Sequence, residues 1–331
     1  MRNILYFIIL GIIISCKSQS KNIESKHTII LPAPTPAVIE KKPEIKKEEG
    51  QYYKINIGDS SKNDNTMSYG SIVSANPVGY QISKTYFPSV SQNFRQRYVI
   101  LHYTALDDEK SINVLTQQSV SAHYLVNSLP DKEIYQLVDE NKRAYHAGIS
   151  SWRKDQQIND TSIGIEIVNL GYKIDSLGNR AFYPYPEEQF KKVAALAKDI
   201  VTRYNIPPTN VLGHSDVAPT RKQDPGPLFP WKRLYDEYQV GMWYDETTKQ
   251  NFLAQNTDIS LRYNDPDFIV KIQQQLIQFG YSLSVNGTWD KPTKQTLEAF
   301  QSHFRPTNCN GTLDAETWAI LQALIQKYPQ K

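Results

Sequence analysis

Cysteine is nearly absent from this 331-residue chain: Cys16 and Cys309 are the only two, too few for a disulfide framework. Stability must therefore come from buried cores. Charge of one sign is scarce as well. The 37 basic and 34 acidic side chains leave a formal +3, too little to argue for a nucleic-acid partner. Long apolar runs are missing too: residues 4–14 form an eleven-residue stretch behind Arg2, too short to span a bilayer comfortably and the right length for the core of a secretion signal.

The opening residues carry a pattern of their own. The apolar run ends Ile13-Ile14-Ser15-Cys16, an aliphatic residue three before a cysteine with a small residue directly before it, which resembles a bacterial lipobox. Residues 1–15 then read as a lipoprotein signal peptide and Cys16 as the lipidated first residue. Cys309, left without a partner, reads as a small apolar filler. Residues 16–74 read as a tether rich in Lys, Glu, Ser and Pro, with the mixed-charge run EKKPEIKKEE at 40–49. A brief alternation at Tyr53, Ile55 and Ile57 fits either a short strand or more linker.

Regular patterns begin further on. Residues 97–105, RYVILHYTA, have the β-branched and apolar character of a buried strand with His102 near its end. Residues 121–127 and 132–139 flank Pro130 and Asp131 and read as a hairpin. In TSIGIEIVN (161–169), Ile163, Ile165 and Ile167 point one way while Gly164 and Glu166 point the other. Residues 187–206 carry a helical apolar stripe that ends at Pro207-Pro208, and 210–214 form a short strand delivering His214. The expected fold is α/β, a mixed central sheet flanked by helices, over residues 75–240. After a linker at 241–264, residues 265–331 show three helical stretches separated by two N-G-T turns, with Asp290 and Asp314 at or near caps. At about 65 residues this unit is near the lower limit for an independent core, which points to docking or binding more than catalysis.

The stretch GHSDVAPTRKQDPGPLFPW (213–231) concentrates chemistry on one loop, because Pro219, Pro225, Pro227 and Pro230 forbid a continuous helix. His214 and Asp224 are both competent zinc ligands, and Lys222 stands beside them. The spacing alone also fits an ordinary surface loop. Of the other histidines, His123 reads as a strand residue with structural hydrogen bonds. His146 and Trp152, in YHAGISSW, suit a loop that contacts sugar or peptide, and Trp152 suits a core anchor equally.

Taken together, VILHYTA, VSAHYLV, AYHAGISSWR, NDTSIGIEIVN and GHSDVAPTRKQDPGPLFPW closely resemble zinc-dependent N-acetylmuramoyl-L-alanine amidases of the AmiD type, lipoproteins of the bacterial outer membrane. The resemblance extends through the last module, which is similar to a peptidoglycan-binding domain. It implies one zinc per chain on His102, His214 and Asp224, Glu166 as general base and acid, and Lys222 stabilising an oxyanion. The implied substrate is peptidoglycan or its muropeptides, cut between N-acetylmuramic acid and L-alanine, with the protein anchored by lipid and facing the periplasm. A receptor that binds wall without cutting it, or a structural anchor between membrane and wall, are the competing roles. The complete set of five residues speaks against a pure receptor, which needs no acid–base pair. The departures from the family, Gln223 and the long segment 17–74, lie outside that set.

Overall fold

The computed structural model describes residues 77–81, 93–255 and 259–330. The signal-like segment 1–15, Cys16, the tether 16–74 and the strand weighed at 53–57 lie outside the described residues.

In chain order the first elements are β1 (Tyr98–Tyr103), α1 (Asp108–Gln117), β2 (Tyr124–Val126), β3 (Tyr135–Gln136), β4 (Ser151–Trp152), β5 (Asp155–Gln156) and β6 (Ser162–Ile167). They are followed by β7 (Tyr172–Ile174), β8 (Arg180–Phe182), α2 (Glu187–Arg203), β9 (Val211–Gly213), α3 (His214–Val217) and α4 (Trp231–Tyr238). Helices α5 (Glu246–Gln255), α6 (Ile259–Arg262), α7 (Pro266–Phe279), α8 (Lys291–Phe304) and α9 (Ala315–Lys327) complete the chain.

The main sheet has the order β3-β2-β6-β1-β9. Strands β2, β6, β1 and β9 run parallel, and β3 adds an antiparallel edge through the expected hairpin. A central strand of a parallel sheet is covered on both faces, which is why β1 reads as a nearly unbroken apolar run. The periodicity of β6 sorts its faces. Ile163, Ile165 and Ile167 are buried in the apolar core shared with Phe190, Val193, Ala194, Ala197 and Ile200 of α2.

The three expected C-terminal helices are α7, α8 and α9, capped by Asp265, Asp290 and Asp314, whose side chains each accept a first-turn backbone N–H. Residues 241–264 correct the linker expectation. They carry α5 and α6, and α5 lies along α9, with Phe252 edge-on to Trp318 at 6.0 Å and Lys249 bridging Glu246 and Glu316. The helical unit is docked on the sheet domain, since one apolar core includes both Trp152 and Phe279.

Candidate active site

Sheet register builds the site. His102 and Glu166 are direct partners across β1 and β6, so side chains on strands about 4.8 Å apart leave the sheet on the same face. On the other side of β1, β9 ends at Gly213 opposite Leu101, and His214 follows at once. The loop then folds back, and the Ser215 N–H donates to the Asp224 carbonyl at 2.9 Å. Gly213 is required there, because a Cβ would stand 2.7 Å from Pro225 Cδ. The Asp224–Pro225 peptide is cis. In the cluster so formed by register and loop, His102 Nδ1 lies 2.9 Å from His214 Nδ1 and 2.9 Å from Asp224 Oδ2, and His214 Nδ1 lies 3.0 Å from that same oxygen.

The outer nitrogens set the tautomers. His214 Nε2 is 3.0 Å from the Ala147 carbonyl, which can only accept, so Nε2 carries the proton and the Nδ1 lone pair faces the cluster. His102 Nε2 is 2.9 Å from His146 Nδ1. Burial first, then His214, pushes the His102 imidazole down to about 4, so it is neutral at pH 7. The Asp224 carboxyl lies well below the usual carboxylate range although burial opposes its charge. Lone pairs converging in a buried space repel one another unless a cation sits among them, and two imidazoles with one carboxylate fit a divalent metal ion.

The structure separates His146 from Trp152: His146 lines the cavity over the cluster, as a substrate-contacting residue would, whereas Trp152 does not reach it. Most of His146 is nonetheless buried, its Nδ1 on His102 and its Nε2 3.0 Å from Ser162 Oγ, so it also fixes the His102 ring. Gly164 makes room for it, since a Cβ there would come within 2.4 Å of the imidazole. Trp152 has no exposed surface. Its indole N–H donates to the Thr209 carbonyl and its ring packs edge-on against Phe279 and Tyr281, so it is an anchor between the two parts of the fold. His123 is structural as expected: its Nδ1 accepts the Gly164 N–H and its Nε2 donates to the Lys142 carbonyl.

A cavity of about 230 Å³ opens over the cluster, with Tyr103, Tyr145, Glu166, His214, Lys222 and Asp224 in its wall. Glu166 is half-buried as a residue, yet its Oε2 is closed off from solvent and has no hydrogen-bond partner. Burial, then the Asp224 charge, pushes its carboxyl up to about 8, with Lys222 opposing. A carboxyl poised near neutrality can both take and return a proton. Lys222 also lines a separate groove of about 350 Å³ between the β7–β8 hairpin and α8, which contains none of the three converging ligands. Sequence reasoning missed Tyr103 and Tyr145, and also Asp216, whose one signal was its place two residues after His214 in GHSD.

Comparison with known proteins agrees with this geometry. Residues 92–227 match the family model described as N-acetylmuramoyl-L-alanine amidase, and residues 266–321 match a peptidoglycan binding domain. The chain is 42% identical over 241 residues to N-acetylmuramoyl-L-alanine amidase AmiD of Escherichia coli (strain K12), covering 71% of this chain and 84% of that protein. A shorter match, 42% over 115 residues, covers 35% of this chain and 55% of the 1,6-anhydro-N-acetylmuramyl-L-alanine amidase AmpD of Citrobacter freundii. The solved complex of E. coli AmiD with anhydro-N-acetylmuramic acid-L-Ala-D-gamma-Glu-L-Lys aligns with a TM-score of 0.69 at 39% identity, covering 77% of this chain and 98% of that one. AmpDh3 from Pseudomonas aeruginosa aligns with a TM-score of 0.67 at 38% identity, covering 78% and 100%. With this coverage, and the cluster in place, the chain belongs to the N-acetylmuramoyl-L-alanine amidase family.

Proposed function

We propose that this protein is a zinc amidase that cuts muropeptides, the 1,6-anhydro form included, at the amide between the lactyl group of N-acetylmuramic acid and L-alanine. The observation that carries the reading is the convergence of His102, His214 and Asp224 beside a buried Glu166 oxygen with no partner, with His214, Asp224 and Glu166 lining one cavity. The relative solved with an anhydromuramyl tripeptide supports the substrate class. Zinc held by the three ligands would supply a Lewis acid and an acidified water at neutral pH.

The remaining steps fall to the chain's own residues. Glu166 as carboxylate takes the proton of the attacking water, then returns it to the departing alanine nitrogen. Its raised pKa makes the return favourable, and Asp224, whose carboxyl lies well below the usual range, does not compete for that proton. Lys222, in the same cavity wall, offers an ammonium to the oxyanion that develops on the lactyl carbonyl. His146 keeps the His102 ring turned so that its Nδ1 faces inward.

The proposal includes placement. The lipobox-like Ile13-Ile14-Ser15-Cys16 supports a mature protein anchored to the outer membrane by lipid on Cys16 and facing the periplasm. The C-terminal unit supports peptidoglycan as the partner. Mass spectrometry of purified muropeptides incubated with the protein tests the chemistry: cleavage between muramic acid and alanine, abolished by a chelator and restored by zinc, is expected. Binding without cleavage would make the protein a receptor. Fatty-acid labelling lost in Cys16→Ala tests the anchor, and an unlabelled soluble protein would contradict it.

A further inference from the structure

We propose that the C-terminal helical unit is a working part of the metal site: through Tyr281 and His303 it holds the Asp216 carboxylate, and Asp216 in turn fixes the turn that presents His214. The inference rests on the zinc reading above and extends it to residues that touch neither metal nor substrate.

Asp216 lies two residues beyond His214 on α3 and is 1% exposed. Its Oδ2 accepts the Gly213 N–H at 2.8 Å and bonds His303 Nδ1 at 2.7 Å, while its Oδ1 accepts the Tyr281 O–H at 2.8 Å. The Gly213 bond closes a small loop whose interior contains His214. Two of the three partners come from the helical unit, across sequence separations of 65 and 87 residues. The neighbouring Ser215 N–H reaches the Asp224 carbonyl, so displacement of this turn would move the backbones of two metal ligands together.

The donors are themselves held in place. His303 is stacked between Trp231, with ring centroids 3.8 Å apart, and Phe304, at 4.0 Å. Tyr281 sits edge-on to Trp152 at 5.1 Å, and the Arg153 N–H donates to the Gly280 carbonyl at 2.7 Å beside it. A phenylalanine would serve the stacking alone. His303 instead leaves its buried Nε2 without a partner, a cost that makes sense if the Nδ1 contact with Asp216 is what the position is for. Tyr281 and His303 are therefore positioning residues that act through Asp216, as outer partners do behind metal-ligating histidines.

The test uses the full chain loaded with zinc or, for spectroscopy, cobalt. Tyr281→Phe and His303→Phe remove the bonds and keep the rings, and Leu297→Ala weakens the helical unit's core away from Asp216. The expected result for the first two is zinc loss to a chelator faster by about 10-fold or more. A shifted cobalt absorption spectrum and a fall in kcat exceeding the change in KM on a soluble anhydromuramyl tripeptide are expected with it. Leu297→Ala should lower the melting temperature with the wild-type spectrum and zinc loss rate retained. Wild-type zinc loss and an unchanged cobalt spectrum in Tyr281→Phe and His303→Phe would reduce these contacts to docking and overturn the proposal. If His303→Phe fails to fold, Tyr281→Phe, which deletes a single oxygen, decides alone. A wild-type chain that binds neither zinc nor cobalt would instead bring down the metal reading itself.

Discussion

The sheet domain and the helical unit both bury polar side chains, but they complete them differently. In the helical unit, Gln273 and Gln301 play one part twice. Gln273 accepts the Asn286 and Gly287 N–H groups and donates to Thr288 O and Thr293 Oγ1. Gln301 accepts the Gly311 N–H and donates to Thr312 O and Thr317 Oγ1. Each glutamine thus locks one N-G-T turn, and its polarity is used up locally. Around His102 the opposite holds: lone pairs face one another, and Glu166 Oε2 faces nothing. A buried polar group that is satisfied explains a shape, whereas one left open on a cavity wall beside converging donors points to a ligand or a reaction.

Substitutions on the two sides should therefore differ in kind. The largest effect is expected from His214→Ala, which leaves two ligands. Zinc content by elemental analysis should fall sharply and turnover with it, and full occupancy would show the ligands to be misassigned. Lys222→Ala should keep its zinc and lose about 10²–10³ in turnover of a defined muropeptide.

A third expectation concerns a satisfied cluster on the sheet side. Buried Glu140 accepts from the two terminal guanidinium nitrogens of Arg203 and from the hydroxyls of Tyr124 and Tyr204. Burial opposes its charge, but Arg203 and the tyrosines outweigh burial and hold the carboxyl below its ordinary value. Glu140→Gln should cost about 3–5 kcal/mol at neutral pH by leaving the Arg203 charge without its partner. Because the folded-state pKa is depressed, the carboxylate's contribution is present above the ordinary range and is lost as pH falls through the folded value. The gap between wild type and variant in urea unfolding should narrow on acidification, and a gap independent of pH would contradict the assignment. The smallest effect is expected from Gln273→Ala: a loss of about 1–3 kcal/mol with zinc content unchanged, read from urea midpoints.

Much of this was legible in the chain. Strands β1, β6 and β9 and helices α2, α7, α8 and α9 announce themselves because one period of apolar residues faces one core. Helix α1 does not, since it buries only Ser111 and Leu115 and its start depends on the Asp107 cap. Helix α5 looks like linker because its stability comes from α9, through Phe252 on Trp318 and Lys249 with Glu316. The candidate metal cluster and Glu166 stand in long motifs, and strand register explains why residues 64 apart become neighbours at His102 and Glu166. Of the two roles open to Trp152 the anchor is the one the fold uses, and the sequence does not decide it because its partners, Phe279 and Tyr281, lie more than a hundred residues away. For His146 a local clue existed in Gly164, the one residue without a side chain on the site face of an otherwise filled strand.

Glu166 puts the contrast between satisfied and open groups to its most direct test. Glu166→Gln preserves size, and the three metal ligands are supplied by other residues. Zinc content and turnover of an anhydromuramyl tripeptide should be measured on the same preparation. The account predicts full zinc, an unchanged melting temperature and a turnover reduced by about 10²–10⁴. Wild-type turnover with zinc retained would remove Glu166 from the chemistry, and loss of zinc would make it a ligand or a support for one.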